Sequence, residues 1–393
     1  MYTHCANIAH VVLSREELGH RIAEARNSAG LTQQQCADAV GMDRTGLVRI
    51  ENGGRRTTVL ELVRLAEALQ TRVEWFMQEA PPSVVSHRNA SDPRQPSPAI
   101  DRMVERVARE VEFLLELDGH PKLPASPKFE MPNNASEMEG YAIKTRKLLG
   151  YEPTEPTTGL SERAAKIGIL AFSFPLGKEA ADGASLLLTS GCVAVVNGNR
   201  GFGRRRFTLA HELGHCVFAD EYSVDWQVAV HVEGREALID RFASALLLPE
   251  ALLRTSLLEA SQDESLRTAA VVTASKFQVG MSTLARRLKE LDLVSHDQAG
   301  QVRSVRTTRA DIIDFALVPP PDSQELNQAE LPRPYEKAVL DAYRQDRISA
   351  ARATDLLFDT WDEADLPEPP TPAGRERPTL PAGGGCVPHG KRR

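Results

Sequence analysis

The sequence predicts a mainly α-helical chain with one small β-sheet, an α+β arrangement, preceded by an all-α module at the N-terminus. Three observations carry this. Apolar residues recur at helical spacing through most of the 393 residues. Residues 14–78 hold short helical segments opened by Thr or Asp and closed by Gly. Short apolar runs of strand character cluster between residues 169 and 196, just ahead of a helical run containing His-Glu-x-x-His.

Composition bounds the function. With 41% hydrophobic and 26% charged residues the chain has material for two or three domains. A formal net charge of −7 does not favour a nonspecific nucleic-acid coat, so any DNA binding must be local. No 18-residue apolar run and no signal-peptide layout occur, so the expectation is a cytoplasmic protein without a membrane partner. The five cysteines (5, 36, 192, 216 and 386) include no Cys-x-x-Cys pair, which predicts reduced thiols rather than a disulfide framework.

Residues 1–13 read as a loose leader. Leu18, Ile22 and Ala25 mark a first helix, stopped at Ala29-Gly30. Thr32 caps a second helix through Val40, with Gln35 at the capping-box position. Gly41 turns the chain, and Asp43 caps a third helix ended by Asn52-Gly53-Gly54. Residues 58–69 supply a fourth helix, and Trp75-Phe76 closes the core. Short helices joined by a Gly turn are a helix-turn-helix layout. The order Leu31-Thr32-Gln33, Ala37, Gly41 and Arg49-Ile50-Glu51-Asn52-Gly53 resembles the Cro/repressor (XRE) family over residues 14–78. The resemblance implies a third helix entering the major groove of a double-stranded DNA operator. Arg44 and Thr45 would then read bases, flanked by Gln33 and Arg49, with Arg55 and Arg56 on phosphate. A small protein-interaction domain is the alternative. Residues 11–80 carry nine Arg against ten Asp or Glu, but the basic residues concentrate on or just after the third helix.

A second region, 79–134, reads as linker around one helix. Residues 79–98 are Pro-rich and polar, and residues 100–117 form an amphipathic helix with Met103, Val107, Val111, Leu114 and Leu115 on one stripe. That stripe suits either a homodimer or packing on a neighbouring domain. Residues 121–134 form a loop.

The third region, 135–260, opens with helices at 135–149 and 160–167. Strands follow at 169–174, 185–188 and 193–196, with Gly191 at the turn. Next comes Arg206-Phe207-Thr208-Leu209-Ala210-His211-Glu212-Leu213-Gly214-His215-Cys216-Val217. At 3.6 residues per turn, His211 and His215 stack on one face and can share a zinc ion. Glu212 lies within reach of a water at the metal as a general base. Gly214, costly in mid-helix, predicts a close backbone neighbour. Downstream, Glu236 and Asp240 share a face of a helix whose apolar positions are Ala237, Leu238, Phe242, Ala243, Leu246 and Leu247. A carboxylate ligand with an Asp one turn later is sensible, because the Asp can accept the second N–H of a ligating His. Glu233 and Glu221 are rival third ligands, Glu233 being the stronger although it precedes the predicted helix.

Residues 136–250 resemble the ImmA/IrrE family of zinc-dependent peptidases, whose fold belongs to the Glu-zincin group. The match runs ungapped from Arg206 to His215 and resumes at Glu236, Asp240, Phe242-Ala243 and Leu246-Leu247-Leu248-Pro249. Leu248 stands where Met is usual, and Asp240 where Asn is common. The resemblance implies zinc (Zn2+) held by His211, His215 and Glu236, catalysis by Glu212, and an orienting role for Asp240. It also implies a repressor-like or antitoxin-like protein as substrate. An edge strand before the zinc helix would hold such a substrate by backbone pairing. Cys216, one position past the ligand face, reads as a buried structural thiol, and His231 and Tyr222 as weak candidates for oxyanion stabilisation.

Residues 261–362 read as a helical region, with a helix-turn-helix-like pair at 269–277 and 282–291 read as packing support, and two later helices around 335–343 and 349–357. The tail, 363–393, is rich in Pro, Gly and charge, and disorder is expected there. The reading is therefore a DNA-binding transcriptional regulator fused to a zinc peptidase. The alternatives are a non-catalytic sensor with a structural or ligand-binding zinc domain, and an antitoxin.

Overall fold

A computed structural model of the chain describes residues 14–29, 31–69, 73–77, 86–88, 98–117, 123–132, 134–218, 229–261, 265–317 and 325–368. The expected leader, most of the expected tail, Glu221 and Tyr222 lie outside them, as do the side chains of Trp75, His231 and Glu233.

Local capping chemistry sets the N-terminal helices. In α1 (Arg15–Ser28) the Ser14 hydroxyl and the Glu17 carboxylate form a reciprocal capping box. The predicted box of Thr32 and Gln35 opens α2 (Gln33–Val40), which ends on Gly41 at φ +71°. Asp43 accepts from the Gly46 amide to start α3 (Arg44–Glu51). A third box, Thr58 with Glu61, starts α4 (Val59–Ala68), and α5 (Val73–Met77) follows. Their common core contains Ile22, Cys36, Leu47, Ile50, Leu65 and Phe76. Arg26 and Glu51 pair beneath it at 2.6 Å.

Within the Pro-rich stretch read as linker, the structure has a strand, β1 (Ser86–Arg88). The helix after it, α6 (Pro98–Glu116), buries Ile100, Val104, Val107, Val111 and Leu114. Its apolar stripe packs on β3 (Gly183–Leu187) and β4 (Cys192–Asn197), so within the chain the packing alternative holds. At its other end Arg102 donates to the Leu69 carbonyl at 3.0 Å, tying α6 to the first module.

Helices α7 (Ala135–Leu148) and α8 (Leu160–Ala165) precede β2 (Ile169–Phe174), all close to their predicted bounds. The sheet has the order β1-β3-β4-β2. β3 and β4 form an antiparallel hairpin, β2 runs parallel to β4, and β1 joins the outer side of β3 antiparallel. Beyond β2, Ser173 exchanges backbone hydrogen bonds with Glu330. One sheet face supports α9 (Phe202–Phe218), buried from Arg205 onward, and α9 packs on α10 (Ala229–Leu247). Cys192 on β4 and Cys216 on α9 form a disulfide, which corrects the expectation of reduced thiols at both positions. The helix lies over the strand, so residues 24 apart in sequence have Cα atoms 6.0 Å apart, a proximity no short spacing reveals.

The chain continues through α11 (Glu250–Ser261), α12 (Leu266–Phe277), α13 (Met281–Glu290), α14 (His296–Ser304) and α15 (Arg309–Asp314). Phe277, Leu284 and Leu288 of α12 and α13 enter the same core as α9 and α10, as packing support requires. The chain divides into two compact units, 1–336 and 337–393, with α16 (Arg333–Arg344) running across the boundary. The second unit contains α17 (Ala350–Leu356) and a 3-10 turn at Glu363–Asp365. Among the described residues no helix is long and apolar enough to cross a membrane.

Candidate metal centre and nucleic-acid interface

Helix α9 is anchored at its start by charge. The fully buried Arg206 guanidinium donates to Glu325 and to the Thr157 carbonyl. This is the basic residue that the sequence shows before Phe207. One and two turns later, His211 and His215 bring their Nε2 atoms within 3.1 Å of each other. From α10, Glu236 places its Oε2 3.2 Å from His211 Nε2 and its Oε1 3.6 Å from His215 Nε2. The three residues form a group able to hold a metal ion. A tetrahedral zinc with ligands at about 2.0–2.1 Å separates its donor atoms by about 3.3 Å, so the donor set fits zinc in both chemistry and spacing. Because α10 begins at Ala229, Glu233 lies inside the helix rather than before it. The preference for Glu236 therefore rests on its position beside the two histidines.

The protonation of these groups suits ligation. Burial pushes His215 down to about 3, leaving a neutral imidazole. Burial opposes ionisation of Glu236, but its contacts with His211 and His215 together outweigh it and hold the carboxyl below its ordinary range. His211 Nδ1 lies 2.8 Å from Asp240 Oδ1, which fixes the proton on Nδ1 and turns Nε2 toward Glu236. Asp240 is held in turn by Arg286 at 2.6 Å, and the Arg286 guanidinium stacks 4.6 Å from the centre of the Phe207 ring.

Glu212 is fully buried, on the face of α9 turned to the sheet. The Ser185 hydroxyl of β3 donates to its Oε2 at 2.8 Å. Gly183, two residues away on the same strand, is needed for this approach. A Cβ there would sit 2.4 Å from Thr208 Cγ2 and 3.1 Å from Glu212 Oε1. Gly214 also has a packing reason, though not the expected one. A Cβ at 214 would meet the side chains of Ile239 and Phe242, at 3.0 and 3.1 Å, rather than a passing backbone. Sequence reasoning missed Ser185, Arg286 and Ile239. The only signal for Ile239 was its place in the α10 periodicity, where it is buried while Ala237 is exposed.

In the first module, Arg44 and Thr45 are exposed at the N-terminus of α3, and Arg49 is exposed one turn later. Gln33, at the start of α2, is half-buried. It donates to Glu51 at 2.8 Å and accepts from Arg44 at 3.5 Å, so it braces the Arg44 side chain. Arg55 is engaged with Glu61 at 2.5 Å, whereas Arg56 is exposed. The structure thus brings Gln33 to Arg44 at the start of α3, leaves Arg49 exposed in its last turn, and gives Arg55 a competing carboxylate.

Two family models match the chain. Residues 22–76 match the helix-turn-helix model and residues 164–289 the IrrE N-terminal-like domain. No curated protein matches the chain. Among solved structures, the restriction-modification controller protein C.AhdI from Aeromonas hydrophila is 29% identical, covering 16% of this chain and 94% of its own at a TM-score of 0.16. PlcR from Bacillus thuringiensis, solved with the peptide PapR7 and DNA, is 12% identical, with 88% and 95% covered and a TM-score of 0.18. ComR from Streptococcus suis is 13% identical, with 88% and 95% covered and a TM-score of 0.16.

Proposed function

From a chain that joins an XRE-type helix-turn-helix to an IrrE N-terminal-like domain, we infer a DNA-binding regulator whose second domain hydrolyses peptide bonds, with zinc as its cofactor. One observation carries the catalytic half. His211, His215 and Glu236 form one donor group, and Glu212, next to His211 in the same helix, is buried and held by Ser185 against the sheet. A purely structural metal site gains nothing from a buried carboxylate between its two histidines.

Zinc bound by the three ligands would supply Lewis acidity toward the scissile carbonyl and the attacking water. Glu212 takes the water's proton and passes it to the leaving amine. Ser185 keeps the carboxylate oriented during both transfers, and Asp240 keeps His211 in one tautomer. The substrate proposed is a repressor-like or antitoxin-like protein, bound as an extended segment. In the first module Arg44 and Thr45 read base edges, Gln33 and Arg49 flank them, and Arg55 and Arg56 contact phosphate.

The test is capture followed by cleavage. The Glu212→Gln chain retains the partner protein, and the wild-type chain with zinc cuts that same protein. A captured partner left intact by the zinc-loaded wild-type chain would reject the peptidase reading.

A further inference from the structure

The outer edge of β3 is the sheet edge nearest Glu212, and the chain covers it with three residues of its own linker. Ser86 pairs with Ser185, His87 with Ala184, and Arg88 with Gly183, all antiparallel. Two of these β3 residues meet the site directly. Ser185 hydrogen-bonds Glu212, and Gly183 lies where any Cβ would strike Thr208 and approach the Glu212 carboxylate. β1 also lies against α9, the helix bearing both histidines.

Nothing in this pairing is specific to the linker. An uncovered edge strand offers a row of backbone donors and acceptors to any extended segment, and side chains only modulate the choice. The linker is nevertheless suited to the role. Between Pro81-Pro82 and Pro93 it contains the proline-free run Ser83-Val84-Val85-Ser86-His87-Arg88, with two adjacent β-branched residues in an otherwise Pro-rich stretch. The opposite edge, β2, is covered at Ser173 by Glu330, so β3 is where an incoming strand meets the Glu212 side of the sheet.

An edge strand that pairs with extended substrate is what the resemblance already implies; we infer that the linker strand, paired antiparallel over Gly183–Ser185, is a built-in competitor for that edge. A protein substrate must displace β1 to lie beside Glu212. This consequence rests on the peptidase reading proposed above, whereas the docking itself does not. A tethered strand competes at an effective concentration of about 1 mM. If the strand alone binds at about 0.1 mM, it weakens an incoming peptide about tenfold.

The experiment uses the full chain carrying Glu212→Gln, so that no probe is consumed. The probe is a fluorescein-labelled synthetic peptide with the sequence of residues 82–93, followed by anisotropy. In one chain the linker is intact. In the other, His87→Pro and Arg88→Pro remove consecutive amide donors, so one falls on the ladder whichever way the strand is phased. The peptide should bind the proline chain about tenfold more tightly. Backbone amides of residues 183–187 should exchange faster in that chain and regain protection when peptide is added, with β4 amides unchanged as the folding reference. Replacing residues 84–88 by glycine and serine gives the same comparison without proline. Equal peptide affinity for intact and altered linkers, or β3 exchange indifferent to the linker, would overturn the inference. Neither readout requires turnover. If both changes are seen but the altered linker in a chain that keeps Glu212, loaded with zinc, cleaves nothing, the peptidase is refuted and the docking edge stands.

Discussion

Removing the Asp240 carboxylate tests the metal centre at its most informative point. Asp240 is not one of the proposed ligands, and its hydrogen bond to them is made through His211. Its Oδ1 lies 2.8 Å from His211 Nδ1, and its Oδ2 accepts from Arg286 at 2.6 Å. In Asp240→Ala the imidazole can flip or change tautomer, and Arg286 loses its carboxylate. Loss of such an orienting partner costs about 10–100-fold in metal affinity. The Asp240 side chain is 30% exposed, so water partly replaces the lost contact. We therefore expect the low end, about tenfold, or ~1.4 kcal/mol. Asp240→Asn keeps a carbonyl oxygen for His211 and should lose less than about threefold, within ~0.7 kcal/mol. Equilibrium competition for zinc against a chromophoric chelator, at fixed pH, measures both. Unchanged affinity in Asp240→Ala would refute the orientation argument. An equal loss in Asn and Ala would show that charge rather than hydrogen-bond geometry matters.

Four further outcomes are expected. Glu212→Gln should keep its zinc by metal analysis while peptide cleavage falls about 10²–10⁴-fold, whereas His215→Ala should lose the metal; zinc loss in both would remove the distinction between ligand and base. Arg44→Ala should relax discrimination at one operator base pair by about 1–3 kcal/mol. Arg55→Ala should lower the salt slope of DNA binding by about one, read by titrations at several salt concentrations, unless the Glu61 contact persists on DNA. Burial, then the Glu51 charge, pushes the Cys36 thiol up to about 11. Its unfolded counterpart ionises near 8.5, so the unfolded state releases a proton first as pH rises. Stability from this group is intact below about 8.5 and declines as pH climbs toward 11. Cys36→Ala should flatten that decline in chemical denaturation, and the native thiol should resist iodoacetamide at neutral pH.

Much of this architecture could be read in advance because its causes are local. The capping box at Thr32 and the Gly41 turn act within one helical turn, and α2 begins and ends where those residues dictate. The pair His211 and His215 follows from helix pitch alone. Glu236 and Asp240 could be named because they too share a helix face. What escaped depends on contacts distant in sequence. Ser185 reaches Glu212 across 27 residues, and Arg286 reaches Asp240 across 46. A serine in a strand and an arginine on a helix carry no pattern of their own. β1 escaped for a related reason. Three residues between prolines lack the period of a strand until another strand offers an edge.

The anchoring of Arg206 also bears on how far the metal-bearing region extends along the chain. Its guanidinium is wholly enclosed, and its carboxylate partner comes from Glu325, 119 residues downstream. Glu330 then completes the backbone pairing at the outer side of β2. A fragment ending at residue 260, or even at 289, would keep every proposed zinc ligand yet strand a buried cation, a defect that costs about 3–5 kcal/mol. That is a large share of a domain's whole stability. Limited proteolysis should accordingly leave residues 325–331 associated with the core even after cuts upstream of them, and trimming that spares the zinc helix has to stop beyond Leu331.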